Sequence, residues 1–451
     1  MPEVPTMLLE ILSHQNFADM RYGLDPRFRF TVSRSIYKGM LKYISSADKV
    51  DYVVQPLPVE QFSCHFVDKT KLELHWMAVN DSLEPTAKAD QYVLYTRIND
   101  DDFDNGVLIN SNSTIFSVQP GKIYSFKITA VNRGGESFPS EILSAYRSPN
   151  EKGEVLIVNG FDRLSAPANF VIDSTYAGFL NDIDAGVPYM TDISFVGKQY
   201  EFKRNSPWIN DDSPGFGASN ANFETTVIVG NTFDYHFIHG KAIKSAGYSF
   251  VSSSEKAVLK GDIDLNQYKT VDLILGKQKQ TFVGNAKKAP EFKTFPLALQ
   301  QSIQSYCQTG GNLMVSGAYI GSDVSETANF VREDQQFLEN TLKLKFRTSH
   351  ASVGGDVKIV SSPFRTFRKF DFSYFDQPNS TSYYVESPDA IEPAGEGGFT
   401  ICRYAENNLS AAVAFSGSYK ICTFGFPFET IQSEKDRSNL MESVLSFFAS
   451  K

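Results

Sequence analysis

Apolar and polar residues follow three different patterns along the chain, and each pattern predicts a different structure. Near the N terminus, an N-cap and a proline at Asp25 and Pro26 precede apolar residues at every fourth position, as in an amphipathic helix. Between about 56 and 146, short segments alternate apolar and polar residues, which is typical of strands with one solvated face. Beyond 154, continuous apolar runs alternate with helical spacing, which is typical of parallel strands buried on both faces.

The N-terminal part, residues 1–48, combines a predicted buried strand with a predicted helix. Residues 4–10 form an apolar run that ends on the carboxylate of Glu10. The helix presents one apolar face, and its other face, which carries basic residues, is expected to be solvated. The apolar face consists of Phe28, Val32, Ile36, Met40 and Ile44, and the basic face of Arg27, Arg34, Lys38 and Lys42.

The middle part, residues 54–148, is predicted to be an all-β sandwich. Alternation in 71–76 places Trp76 on the core side together with Leu72 and Leu74. The whole segment, in particular 120–137 closed by Ser140, resembles a fibronectin type III module. Few contacts are expected across the linker at 148–150, so the sandwich and the part that follows it are predicted to have separate cores.

The last part, residues 151–451, is predicted to be an α/β domain with a doubly wound, mainly parallel sheet. Apolar strands at 155–158, 271–276 and 312–317 flank a helix that ends before Gly310. A long insertion interrupts this domain at about 164–234, and its aromatic and acidic residues have the chemistry for sugar recognition. A β-rich insertion packed by its own aromatic rings is the alternative.

Candidate ligand-binding residues follow the carboxyl ends of the predicted strands or lie in the insertion. In an open parallel sheet the crevice at these ends is the usual ligand site. The domain resembles the glutamine-amidotransferase-like fold, but the turn after Leu275 contains no nucleophilic cysteine, which implies a binding or structural derivative. The candidates are Asn159, Asp162, Lys277, Ser316 and Asp323 at strand ends, with Trp208 and Tyr189 in the insertion.

Metal motifs are weak in this sequence, and the cysteines suggest no metal site. Asp182 and Asp184 lack the further ligands of a calcium loop, and His236 and His239 lack the glutamate of a zinc-protease helix. The cysteines are far apart, and Cys402 and Cys422, although a disulfide between them is conceivable, are expected to be small buried hydrophobes. No metal site is therefore predicted in this chain.

Charge and hydropathy exclude several classes of partner. The net charge of −9 argues against nucleic acid, because phosphate contacts require clustered lysine and arginine. No stretch is apolar and long enough to span a bilayer, and the first residues do not form a signal peptide.

Residues 1–46 resemble the C-terminal end of bacterial zinc-dependent N-acetylmuramoyl-L-alanine amidases. The resemblance rests on the run 4–10, on Asn16, on 24–29 and on 35–44. It implies that Glu10 is a catalytic residue beside a zinc ion whose ligands precede residue 1. The chain alone is then expected to be inactive and free of zinc, and whether it is an enzyme depends on its parent protein.

This resemblance implies a secreted peptidoglycan hydrolase, periplasmic or extracellular, that cleaves the N-acetylmuramoyl-L-alanine amide bond with zinc-activated water. Peptidoglycan or another cell-envelope glycan is the expected partner, and the sandwich and the α/β domain are expected to be accessory modules. Two alternatives are a non-catalytic carbohydrate or cell-surface binding protein, and a polysaccharide-degrading enzyme of the kind labelled xanthan lyase.

Overall fold

The computed structural model describes most of the chain, from the N-terminal segment to the last helix. The described residues are 6–13, 15–161, 169–179, 202–208, 215–216, 234–280, 290–327, 330–377, 379 and 381–450.

The N-terminal part contains two helices, α1 (Phe17–Gly23) and α2 (Pro26–Asp48). The Asn16 side chain caps α1 by accepting from the backbone N–H groups of Ala18 and Asp19. The predicted start of α2 at Pro26 is confirmed. The predicted buried strand is wrong for its described residues, because 6–10 form no strand and are exposed.

The expectation that the basic face of α2 is solvated is wrong at Arg34 and Lys38, whereas Lys42 is exposed as expected. The Arg34 guanidinium donates to Asp81 at 3.1 Å and to the backbone oxygen of Gln55 at 3.0 Å. The side chain of Arg34 is only 10% exposed. By contrast, Met40 and Ile44 on the apolar face are 58% and 51% exposed.

The middle part is a β-sandwich of two antiparallel sheets. One sheet has the order β1-β2-β5, and the other has the order β4-β3-β6-β8 with the short β7 beside β6. Leu72, Leu74 and Trp76 are buried on one face of β2, as the alternation predicts. The strands are β1 (Glu60–Phe66), β2 (Lys71–Met77), β3 (Gln91–Ile98), β4 (Val107–Ile109), β5 (Ser113–Ser117), β6 (Ile123–Asn132), β7 (Gly135–Glu136) and β8 (Leu143–Tyr146).

The last part alternates strands and helices and contains most of the remaining elements. Its strands are β9 (Glu154–Asn159), β10 (Asn169–Asp173), β11 (Tyr176–Phe179), β12 (Phe202–Lys203), β13 (Ser249–Ser254), β14 (Thr270–Gly276), β15 (Asn312–Gly317), β16 (Leu344–Thr348), β17 (Asp356–Ile359), β18 (Asp371–Ser373), β19 (Ala390–Pro393), β20 (Gly398–Tyr404), β21 (Ser410–Ser416) and β22 (Lys420–Phe424). Its helices are α3 (Tyr235–Ser245), α4 (Glu255–Lys260), α5 (Leu297–Gln308), α6 (Ser322–Ser325), α7 (Arg332–Asn340) and α8 (Glu434–Ala449), with 3-10 turns at Leu265–Gln267 and Phe428–Thr430.

The large sheet of this part is mixed. Parallel strands in the order β13-β9-β14-β15-β22 continue into the antiparallel strands β21-β20-β17-β18. Side chains of β9 point alternately to two apolar cores, one shared with α3 and α8 and the other with α4, α5 and α7. Helices therefore cover both faces of the parallel strands, as predicted for a doubly wound sheet. The prediction of a mainly parallel sheet holds for five strands, whereas the other four are antiparallel.

The sandwich and the α/β part are joined through a common sheet. The edge strand β13 pairs with β1 at Ser63↔Ser253 and with β8 at Phe250↔Tyr146. One apolar core contains side chains of both parts, including Trp76 and Val251. The expectation of separate cores with few contacts between them is therefore wrong. It failed because the partner of each sandwich edge lies more than 100 residues away along the chain.

Two small sheets lie outside the large one. Strands β10, β11 and β12 form an antiparallel sheet in the insertion, and α1 packs on it through Phe17, whose ring lies 5.3 Å from the rings of Phe179 and Phe202. Strands β16 and β19 form a two-stranded sheet. None of the helices in the described part of the chain is both long enough and apolar enough to cross a bilayer.

Candidate functional site

The carboxyl edge of the parallel strands brings together three of the predicted ligand-binding residues. Asn159 and Ser316 are the register partners of Ile274 on either side, and Lys277 follows the end of β14. All three side chains are buried, with exposures of 0–2%. The edge is therefore closed in this structure and does not form an open crevice at these residues.

Asn159 is engaged in the contact between the two parts. Its amide nitrogen donates to the Glu141 carboxylate of the sandwich at 2.6 Å, and its amide oxygen accepts from the backbone N–H of Phe161 at 3.1 Å. Both ends of the amide are thus used within the protein.

Lys277 lies at a sharp turn after β14. Gly276 has a φ of +48°, and a Cβ atom there would lie 2.2 Å from the Phe161 ring, so only glycine fits. The Lys277 ammonium donates to both carboxylate oxygens of Glu386, each at 2.8 Å. A cation that is neutralised in this way has a structural role and is not available to bind a ligand.

Asp323 and Ser316 also have buried environments. The Asp323 carboxylate accepts from the backbone N–H groups of Gln280 at 2.9 Å and of Thr294 at 2.8 Å. Burial raises the pKa of Asp323, and these N–H groups only partly offset that effect. The Ser316 hydroxyl has no hydrogen-bond partner among the described residues.

A second polar cluster, which sequence reasoning missed, lies between α3, β14 and the turn after β22. His239 Nδ1 lies 2.7 Å from Asp272 and its Nε2 lies 3.3 Å from Glu429. The Tyr383 hydroxyl donates to the other Glu429 oxygen at 2.7 Å. The sequence did contain one signal for this cluster, namely Asp272, because a carboxylate in the apolar run 271–275 requires a buried partner.

Charge balance in this cluster depends on His239. Burial by itself would lower the pKa of His239, but Asp272 and Glu429 together outweigh burial and raise it to about 9. The imidazolium thus neutralises one of two carboxylates that are almost completely buried. The arrangement has the residue types of an acid–base site, but its side chains are not accessible to a substrate in this structure.

His236, three residues earlier on α3, has a different environment. Its Nδ1 contacts the backbone oxygen of Ile142 in the sandwich at 2.8 Å, and burial lowers its pKa to about 3. The two histidines therefore do not converge on one point. No cluster suited to a metal ion occurs among the described residues.

Of the remaining sequence candidates, only some belong to the described residues. Trp208 is 64% exposed in the insertion. Asp162, Tyr189 and the calcium-like pair Asp182 and Asp184 lie outside the described residues. Cys402 and Cys422 are buried and are not bonded to each other, in agreement with the expectation.

Glu10 lies in the segment 6–13, whose described residues are exposed and form no helix or strand. The resemblance to zinc amidases implies a metal beside this carboxylate, but the described residues supply no set of histidine, cysteine or acidic ligands around it. The described residues thus do not fit a zinc ion, and no step through zinc can be derived from them.

Comparison with known proteins identifies the middle part only. Residues 57–146 match the sequence profile described as "Fibronectin type III domain". No curated protein shows significant sequence similarity to the chain.

Similar solved structures cover about a fifth of the chain. The twitchin kinase region from C. elegans is 19% identical over 21% of this chain and 17% of its own length, with a TM-score of 0.19. A structure titled "FN3tt mut" is 20% identical over 21% of this chain and 97% of its own, with a TM-score of 0.18. The third fibronectin III domain of human KIAA0343 protein is 17% identical over 21% and 84%, with a TM-score of 0.18. Together with the two-sheet architecture, the profile match shows that residues 57–146 form a fibronectin type III domain.

Proposed function

We propose that this chain is the C-terminal part of a secreted peptidoglycan hydrolase that cleaves the amide bond between N-acetylmuramic acid and L-alanine. The fibronectin type III domain and the α/β part then act as accessory modules that position the enzyme at the cell-envelope glycan. A periplasmic or extracellular location follows from this substrate.

The observation that supports the proposal is the orientation of α2. Arg34 and Lys38 on the basic face of α2 contact the sandwich, whereas Met40, Tyr43 and Ile44 are 51–60% exposed. The adjacent segment also exposes Met7 and Leu8, at 71% and 82%. Large apolar side chains exposed in this way are those that another packed element covers. A catalytic domain that includes Glu10 would bury them.

In this proposal Glu10 is the general base and acid of the amide cleavage, as the family resemblance implies. A carboxylate can accept a proton from the attacking water and return it to the leaving nitrogen. The exposure of Glu10 in the described structure leaves its carboxylate available to such a site.

The test is release of muropeptides from purified peptidoglycan by the complete gene product and by its Glu10→Gln variant. Loss of a general base typically lowers the rate by about 10² to 10⁴, while the melting temperature should be unchanged. Glu396→Gln, at an exposed acid of the α/β part, is the matched control and should retain full activity. Activity of Glu10→Gln equal to that of the control would refute the role of Glu10.

A second candidate function is non-catalytic binding of a carbohydrate or cell surface by the α/β part. The carboxyl edge supports a role without catalysis. Asn159 and Lys277 are buried there and paired within the protein, and the turn at 276–278 has no cysteine. Among the described residues of this edge, no accessible group is arranged for nucleophilic chemistry. The lyase alternative has no comparable support, since the cluster around His239 is buried.

A further inference from the structure

A basic and aromatic surface lies on the α/β part, at the hairpin of β17 and β18. We call this surface the basic hairpin; it comprises Lys358, the connection 360–370 and Asp371. Every third residue in the second half of the connection is aromatic, at Phe364, Phe367 and Phe370. The residues between them include the cations Arg365, Arg368 and Lys369.

The aromatic residues fix the connection to the body of the protein. The rings of Phe364 and Phe367 pack against Phe447 of α8, with centroid distances of 4.6 Å and 5.7 Å. The backbone N–H of Phe367 also donates to the oxygen of Phe364 at 3.2 Å, which closes a turn. Anchoring of this kind holds the backbone of the connection in place, so a ligand has only the exposed side chains to order on binding.

The cations of the basic hairpin face solvent. Arg365, Arg368 and Lys369 are exposed, and none of them forms an ion pair within the described part of the chain. On β17, Lys358 lies between its register partners Arg403 and Asp371, on the face opposite the buried Val357. Five cations therefore lie at this hairpin, and Asp356 and Asp371 compensate only part of their charge, although the protein as a whole has a charge of −9.

A groove of about 430 Å³ lies at this hairpin; two of the cations, Lys358 and Lys369, line it together with Ser361, Phe370 and Asp371. We infer that the basic hairpin binds an anionic polysaccharide, a glycan strand that carries carboxylate or phosphate groups. The ammonium and guanidinium groups would contact the anions, Phe370 would pack against a sugar ring, and Asp371 would accept from a hydroxyl. The inference rests on the proposed binding role of the α/β part and is independent of Glu10.

The geometry favours a polysaccharide over a lipid surface. Membrane-binding segments insert several protruding apolar side chains. In the connection, Phe367 is buried, and Phe364 and Phe370 are only partly exposed. The neighbouring strand β20 adds one exposed ring, Phe399, which is 40% exposed and contacts Phe364. A concave surface with partly exposed rings and flexible cations suits a polar, charged strand better.

The experiment measures binding of the chain to polygalacturonate, which carries carboxylates, to phosphomannan, which carries phosphates, and to neutral dextran. The triple variant Arg365→Gln, Arg368→Gln and Lys369→Gln removes the exposed cations. The control variant Lys69→Gln, Lys260→Gln and Lys435→Gln removes the same charge from exposed lysines elsewhere. Affinity for at least one anionic polymer should fall roughly tenfold or more in the first variant, and it should fall with added salt in the wild type.

Comparison of the two polymers identifies which anion is recognised. An equal loss of affinity in the control variant would show that net charge alone is responsible, and equal binding of dextran would remove the role of the cations; either result overturns the inference. Stronger binding to phosphatidylglycerol vesicles than to both polymers would overturn it in favour of a membrane. If the triple variant does not fold, Lys369→Gln alone should still weaken binding about threefold.

This experiment measures binding and not muropeptide release. A negative result would therefore refute the binding inference without bearing on the role of Glu10.

Discussion

The fibronectin type III domain contacts its two neighbours in different ways. Toward the α/β part it shares a sheet, and Ser252 of β13 accepts from the backbone N–H of Ser144 at 2.8 Å within a common apolar core. Toward α2 the interactions include side-chain hydrogen bonds and an ion pair between Arg34 and Asp81.

The difference predicts different mechanical behaviour at the two contacts. Strand pairing buries backbone groups on both sides, so opening the sheet would leave unsatisfied donors and acceptors as well as exposed apolar surface. The side-chain hydrogen bonds and the ion pair at α2 contribute less than a shared sheet and can open without breaking the backbone hydrogen bonds of either partner. We therefore expect the sandwich and the α/β part to unfold together and α2 to detach alone.

The largest expected effect is that of Trp76→Ala. Trp76 is completely buried, and the rings of Tyr92 and Phe62 contact it edge-on at 5.4 Å and 6.5 Å. Removal of a buried tryptophan side chain typically costs about 3 to 5 kcal/mol. Because the core is shared, calorimetry should show the sandwich and the α/β part shifting together in one transition.

The matched control is Trp208→Ala, since Trp208 is the other tryptophan and is 64% exposed. It should leave the transition within about 0.5 kcal/mol of wild type. Two transitions in Trp76→Ala, of which only one moves, would show that the shared sheet does not couple the parts.

An intermediate effect is expected from the pH dependence at His239. The pKa of this histidine is raised from 6.5 to about 9 in the folded protein by Asp272 and Glu429, which outweigh burial. Its contribution to stability is therefore fully present below pH 6.5 and is lost as the pH rises through about 9. The raised pKa corresponds to roughly 3 kcal/mol. Urea unfolding between pH 6 and 10 measures this loss.

His239→Gln isolates this contribution from other groups that titrate in the same range. The variant should be less stable at pH 6 and should lose less stability than wild type between pH 7 and 10. Trp208→Ala, at the exposed tryptophan, is the control and should keep the wild-type slope. Parallel pH profiles for wild type and His239→Gln would contradict a charged His239.

Features set by local pattern were predictable from the sequence. Alternation along β2 identified the core position of Trp76, and Asp25 followed by Pro26 identified the start of α2. Both depend on spacing within a few residues. The carboxyl-edge rule also brought Asn159, Lys277 and Ser316 together correctly, because register in a parallel sheet aligns strand ends.

Features set by distant partners were not predictable in this way. The burial of Asn159 and Lys277 depends on Glu141 and Glu386, and the second of these lies 109 residues from its partner. The docking face of α2 depends on Asp81, 47 residues from Arg34. An amphipathic pattern shows that a helix has two faces, but the charges of its neighbour decide which one is covered.

The smallest expected effect is that of Arg34→Ala, which tests the contact between α2 and the sandwich. The Arg34 guanidinium contacts Asp81 and the Gln55 carbonyl, and its loss should cost about 1 kcal/mol at this contact without moving the main unfolding transition. Hydrogen exchange should become faster in 26–48 and remain unchanged in the strands of the sandwich. Lys42→Ala, at an exposed position of the same helix, should leave exchange as in wild type. If Arg34→Ala lowered the melting temperature of the whole protein as strongly as Trp76→Ala does, α2 would belong to the same cooperative unit, and the contrast between the two contacts would be lost.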